Sequence, residues 1–306
     1  MGPIVTKLLS ASLERSSVPT YQRAWHLLHQ FTTQVFDSAS LALPVAPTTL
    51  SLFIAYLFDH EYASSTVATY VTAIGYYHRL AGIPDPSKTS YIVEMLKGYH
   101  KLSKKLDTRL PITLPILHRI IKSCDIICSS HTRLLFIAMC TLAFFAFLRV
   151  GEMSVTHGHQ SARILQFSQV TRLYENGEVS ALQVTFHDFK HNYNQAPFSI
   201  TVTRKSDVCP VLSMLRYLEV RGCDAGPLFI NSDGRPVSRC FFATLLERCI
   251  KSCNLNSDRY KGHSFRIGGA TFAAQQGLSD AQIRLLGRWK SEAFKKYIRV
   301  SNLPSL

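Results

Sequence analysis

The chain is poor in acid: 20 Asp plus Glu stand against 34 Lys plus Arg, a formal charge of +14 with its 12 histidines neutral. So large an excess on a folded protein argues against an acidic or neutral scaffold and points to a polyanionic partner, nucleic acid first. The longest apolar run, LLFIAMCTLAFFAFL at 134–148, is shorter than the ~20 residues a spanning helix needs. A buried core helix is expected there, and no membrane partner. The first ten residues carry one lysine and no extended apolar stretch, so no signal peptide is expected. Internal repeats, low-complexity tracts, a P-loop and a carboxylate cluster are all missing. The eight cysteines form no zinc-type pattern: Cys124/Cys128 and Cys249/Cys253 are i, i+4 pairs without matched partners. Reduced thiols and no metal are expected.

What is present divides into two parts. Across the first hundred residues, Tyr21, Trp25, Leu28, Phe31 and Val35 recur at helical spacing, and Pro47 with Thr48 opens a second helix. Ser64 and Ser65 can cap a third, IPDPS at 83–87 breaks the chain, and a fourth carries Ile92, Met95, Tyr99 and Leu102. The expectation is a small all-α domain over 1–104. A basic linker, 105–111, follows within HKLSKKLDTRLP at 100–111, where Lys101, Lys104, Lys105 and Arg109 face a single acid, Asp107. That stretch reads either as a solvated connector or as a strap on DNA phosphates.

The second domain is expected over 112–306. Pro115 marks a helix start, and the apolar helix is expected to run to Arg149. Strands are expected at 164–170, 181–189 and 197–203, the last two joined by the polar connector KHNYNQA. Further helices should begin at Pro210 and Ser238, and Ser279 with Gln282 makes a capping box. The fold class is therefore mainly α with a small antiparallel sheet in the second domain.

The segment GHSFRIGGATFAAQQGLSDAQIRLLGRWKSEAFKKYIRV at 262–300 carries the chemistry. His263 and Arg266 are i, i+3 at the start of a helix, so they project to one side. Gly268, Gly269 and Ala270 keep that helix slim. Trp289 and then Tyr297 follow, and Arg149 and Glu152 stand earlier in FLRVGEM. Taken singly, each has an ordinary reading as a salt-bridge partner, a core aromatic or one of 13 tyrosines. Their order along the chain is what distinguishes them.

In that order the sequence resembles the tyrosine recombinase (phage integrase) family over nearly its whole length. LRVGE matches the family's early arginine segment, giving Arg149 and Glu152. Lys190 in HDFKHN matches a lysine on a β-hairpin turn, and His263 with Arg266 the H-x-x-R pair. Trp289 in LGRW matches the following His or Trp, and Tyr297 in KKYIR the nucleophile. The eight-residue Trp289–Tyr297 gap is one shorter than the commonest family spacing. The wording GRWKSEAFKKYIR is most similar to recombinases of eukaryotic DIRS-like and Crypton-like mobile elements.

The resemblance implies a SAM-like helical core-binding domain followed by an α+β catalytic domain. It further implies attack by Tyr297 on a DNA phosphodiester, leaving a 3′-phosphotyrosyl link and a free 5′-hydroxyl. Arg149 and Arg266 would clamp the phosphate. Lys190 would protonate the leaving oxygen, His263 would take the phenolic proton or donate to the oxyanion, and Trp289 would fix the tyrosine segment. Glu152 would orient Arg149 or His263. The phosphotyrosyl bond keeps the energy of the broken linkage, so no cofactor is expected. Double-stranded DNA and a homotetramer on paired sites are the expected partners. A nuclear location follows if the host is eukaryotic, a cytoplasmic or nucleoid one otherwise. The rival readings are a type IB topoisomerase-like relaxing enzyme, a domesticated DNA-binding module without catalysis, and an RNA-binding adaptor.

Overall fold

The computed structural model describes residues 2–37, 41–103, 107–156, 164–189 and 196–299. They fall into two compact units, Met1–Asp107 and Thr108–Leu306.

The first unit is entirely helical among its described residues: α1 (Gly2–Ala11), α2 (Val18–Phe36), α3 (Pro47–Asp59), α4 (Ser64–Leu80) and α5 (Ser90–Leu102). Prolines in the first turn of α2 and α3 sit where no helical hydrogen bond is lost. Leu28 and Phe31 of α2, Leu50, Phe53 and Leu57 of α3, Val67 and Ile74 of α4 and Ile92 of α5 close one core. Each such side chain contributes roughly 1.5–3 kcal/mol on full burial. His78 of α4 is buried with them. Its Nε2 accepts from the Val45 amide at 2.9 Å and its Nδ1 faces the Ile74 carbonyl at 2.8 Å, so the neutral ring is satisfied at both nitrogens. Helix α1 was not foreseen from the sequence. Its Ile4, Val5, Leu8 and Leu9 stay exposed, so it lacks the buried stripe that periodicity detects.

The second unit begins with α6 (Leu114–Ile127) and α7 (Ser130–Phe145). Helix α7 is buried from Leu135 through Phe144 except at the half-buried Ile137, as its long apolar run requires, and it packs against α9 (Pro210–Arg221). Among the described residues no helix is long and apolar enough to cross a membrane. The run does not stay helical to Arg149. It breaks after Phe145, Phe147 takes a left-handed φ of 50°, and a short helix α8 (Val150–Met153) starts afresh with Arg149 as its N-cap.

The sheet has the order β1–β2–β3, all antiparallel, over Val170–Glu175, Glu178–Phe186 and Phe198–Thr203. The segment 164–170, expected as a strand, is instead extended chain with a 3-10 turn at Phe167–Gln169, and β1 starts where that strand should end. The first hairpin turns at Asn176-Gly177, both at positive φ, which is the conformation a two-residue hairpin favours. Leu182, Val184 and Phe186 of β2 and Ile200 and Val202 of β3 point into the core.

The remaining helices are α10 (Arg239–Ser252), α11 (Gly262–Gln275) and α12 (Asp280–Leu286), followed by a 3-10 segment, Glu292–Tyr297. Ser238 caps α10 and the Ser279–Gln282 box caps α12, as their sequences indicate. Cys128 and Cys253 fall at the C-caps of α6 and α10. Cys124 and Cys249 meet across those helices as free thiols, Sγ to Sγ 3.9 Å.

Candidate active site

Helix α11 is the platform. A Cβ on Gly268 would collide with the backbone of Ile112, and one on Gly269 with the Phe144 carbonyl. The two glycines therefore let α11 lie directly on the chain entering the second unit and on the end of α7. The Ile112 amide donates to the Ser264 carbonyl at 3.0 Å, fastening the same contact.

From this platform His263 and Arg266 project toward the C-terminal 3-10 segment. His263 Nε2 lies 2.7 Å from the Tyr297 hydroxyl. Both side chains are half-buried. Thr271 fixes the tyrosine's backbone: its hydroxyl donates to the Tyr297 carbonyl at 3.2 Å and accepts from the Arg299 amide at 3.1 Å. Trp289 packs on Tyr297, ring centroids 5.0 Å apart, and on Phe147 at 6.1 Å.

Arg266 is wholly enclosed. Its guanidinium donates to the carbonyls of Phe147 and Gly287 and lies under the Trp289 ring, 4.1 Å from the centroid, with the Tyr297 ring 5.8 Å away. Burial, then the neighbouring cations Arg149 and Arg288, push its pKa down to about 9, so it remains charged at neutral pH. The resemblance leads one to expect a fork that clamps the phosphate. The structure instead holds this fork beneath the indole, with Nε buried and without an acceptor among the described residues.

Glu152 is the buried anion of the site. Its carboxylate accepts from the Arg149 amide (2.8 Å), Arg149 Nη1 (3.0 Å) and Arg288 Nη2 (2.7 Å). Burial alone would raise its pKa. Arg288 and then Arg149 outweigh that, and the carboxyl sits below its ordinary value. Of the two roles the sequence suggests for Glu152, the hydrogen bonds support orientation of Arg149. Arg149 keeps a quarter of its side chain exposed, so it is the arginine of the pair that can meet a ligand directly.

Arg288 escaped the sequence reading, which passed over it in LGRW to the adjacent tryptophan. Its side chain is 1% exposed. It lies over the Phe186 ring, Cζ 3.9 Å from the centroid, and adopts a left-handed φ of 53° just after α12. The available clue was its position nine residues before Tyr297.

Lys190, Lys104 and Lys105 lie outside the described residues. Lys101 is exposed near the end of α5 and lines a concavity with Lys88, Lys97 and His100. Arg109 is half-buried at the start of the second unit.

The fold is that of tyrosine recombinases: mostly helical, with a three-stranded antiparallel sheet. It is similar to lambda integrase in a dimer bound to a COC′ core site, with a TM-score of 0.64 at 12% identity over 98% of this chain and 76% of that one. XerH site-specific recombinase bound to difH in a pre-cleavage complex gives 0.65 at 17% identity, covering 94% and 76%. The Tn1549 transposon integrase with circular intermediate DNA gives 0.60 at 12% identity, covering 94% and 90%. No family model and no curated protein matches the chain by sequence.

Proposed function

We propose that the chain is a site-specific DNA recombinase that cuts and rejoins strands through a 3′-phosphotyrosyl intermediate. The observation that carries this reading is the phenol of Tyr297 in hydrogen-bonding range of His263 and beside the cation Arg266, which Arg149 in turn neighbours. An unperturbed tyrosine is about one part in a thousand ionised at pH 7, and its activation requires ~4 kcal/mol from a base or nearby positive charge.

In the proposed step, the Tyr297 hydroxyl oxygen bonds to phosphorus as its proton passes to His263 Nε2. The bond from phosphorus to the 5′-oxygen breaks, and Lys190 supplies the proton that oxygen needs. Arg149, oriented by Glu152, donates to a non-bridging oxygen as charge accumulates. Arg266 stabilises the same charge from beneath Trp289, and a direct bond to phosphate would require the indole to shift. Attack by a 5′-hydroxyl of the partner strand then reverses the step and releases the tyrosine.

The solved neighbours support a DNA partner and an assembly of several copies: one is a lambda integrase dimer on a core site, another a tetramer on a Holliday junction. For this chain we propose double-stranded DNA bound by a homotetramer on paired sites, with Lys101, Lys104, Lys105 and Arg109 contacting phosphates. The likeness of GRWKSEAFKKYIR to DIRS-like and Crypton-like recombinases supports integration or excision of a mobile element in a eukaryotic nucleus. The test is a plasmid carrying one or two copies of the target. Rearrangement that requires two sites supports recombination, whereas relaxation of a one-site plasmid by monomers contradicts it.

A further inference from the structure

Arg288 combines three unfavourable features in one residue. Its backbone is left-handed at the position after a helix where glycine is usual. Its charge is buried, with the side chain 1% exposed. Two of its donors, Nε and Nη1, have no acceptor among the described residues. One polar contact stands against these costs, the 2.7 Å ion pair from Nη2 to Glu152 Oε2. Strained backbone conformations cluster at functional sites, and here one coincides with a buried charge.

The contact determines what Glu152 can do. The carboxylate lies between two guanidinium groups: Arg288 takes Oε2, and Arg149 takes Oε1 through its side chain and Oε2 through its amide. Without Arg288, Oε2 would keep only the amide. We infer that Arg288 is a positioning residue: it holds Glu152 in its ionised, doubly bonded form, and Glu152 in turn fixes the exposed fork of Arg149 toward the reacting phosphate. Arg288 itself does not touch that phosphate, because its guanidinium is enclosed between Glu152 and the Phe186 ring. The same residue ties the segment bearing Trp289 and Tyr297 to α8 and to the end of β2. This inference rests on the recombinase reading.

The groups facing Glu152 are Arg149 at the start of α8, Arg288 after α12 and Arg266 from α11. Removing Arg288 removes the strongest attraction opposing burial, so the Glu152 carboxyl should be protonated at higher pH than in the unaltered chain. The test uses the full chain and nicked duplex DNA, with the rate of covalent adduct formation followed from pH 5.5 to 9. Rates of Arg288→Met and Arg288→Lys are divided by that of the unaltered protein at each pH, with melting temperature and DNA affinity measured alongside.

The Met variant should bind DNA as the unaltered protein does. Its relative rate should fall about tenfold for each pH unit below the raised Glu152 pKa and recover toward alkaline pH. The Lys variant, keeping a cation, should show a flat ratio. Adding Glu152→Gln to Arg288→Met should abolish the pH dependence. A ratio equally reduced at every pH in both variants, or an unchanged rate in the Met variant, overturns the inference and leaves the recombinase reading standing. No adduct from the unaltered protein on any DNA overturns both.

Discussion

The Tyr297 hydroxyl and His263 Nε2 lie 2.7 Å apart although 34 residues separate them in the chain. Helix α11 carries the imidazole and the C-terminal 3-10 segment carries the phenol, and Thr271 on the same helix clamps the tyrosine backbone. The pairing is thus built by one helix and the segment folded over it. An imidazole within hydrogen-bonding reach of a phenol is the arrangement a nucleophile and its base require.

Replacing His263 by Ala removes that partner without emptying the core, because the ring is half-buried. Cleavage of nicked DNA should slow by about 10²–10⁴-fold, the usual worth of a general base. DNA affinity should change little. Single-turnover cleavage together with a binding titration checks both.

Glu152→Gln leaves Arg288 buried beside a neutral amide. Breaking one partner of a buried ion pair costs about 3–5 kcal/mol, and urea unfolding of the two proteins at pH 7 should show a loss of that order. The sign with pH follows from the depressed carboxyl. Glu152 stabilises the fold fully above its unfolded pKa of about 4.3 and loses this contribution as pH falls through the lower folded value. The difference between the two proteins should therefore be constant from pH 6 to 8 and shrink only in acid.

Gly268→Ala tests the platform. The added methyl would meet the Ile112 backbone, which cannot rotate away as a side chain would. Overpacking of this kind costs about 1–3 kcal/mol. The variant should melt earlier, and because the displaced strap is hydrogen-bonded to Ser264 beside His263, it should also cleave more slowly.

Lys190→Ala addresses the leaving group. A substrate with sulfur in place of the bridging 5′-oxygen departs as a thiolate and needs no proton. The variant should be slow on ordinary DNA and close to the unaltered protein on the sulfur substrate. Equal defects on both substrates would remove Lys190 from the general-acid role.

The candidate site's residues stand out in the sequence more clearly than the chain's turns do. His263, Arg266 and Tyr297 could be picked out because their order and spacing recur as a set, and Gly268 and Gly269 because only close backbone contact explains adjacent glycines mid-helix. The break at residues 146–149 was not legible: the apolar run continues to Leu148 without glycine or proline, and the left-handed Phe147 is buried against residues distant in sequence such as Ala270 and Phe294. Strand β1 was misplaced because the apolar residues of ILQFSQV drew the assignment forward, while the stronger local marker was Asn176-Gly177. Arg288 stayed hidden for another reason. A buried arginine is visible only through its partner, and Glu152 lies 136 residues away.

The most direct test of the central claim is to identify the amino acid joined to DNA. The unaltered protein is incubated with a library of nicked duplexes, the covalent complexes are isolated, and both the attached DNA and the attached peptide are sequenced. The account predicts a 3′-phosphate ester on Tyr297 and no complex from Tyr297→Phe, which should still bind DNA. A conjugate through another residue, or one that persists in the Phe variant, would contradict it.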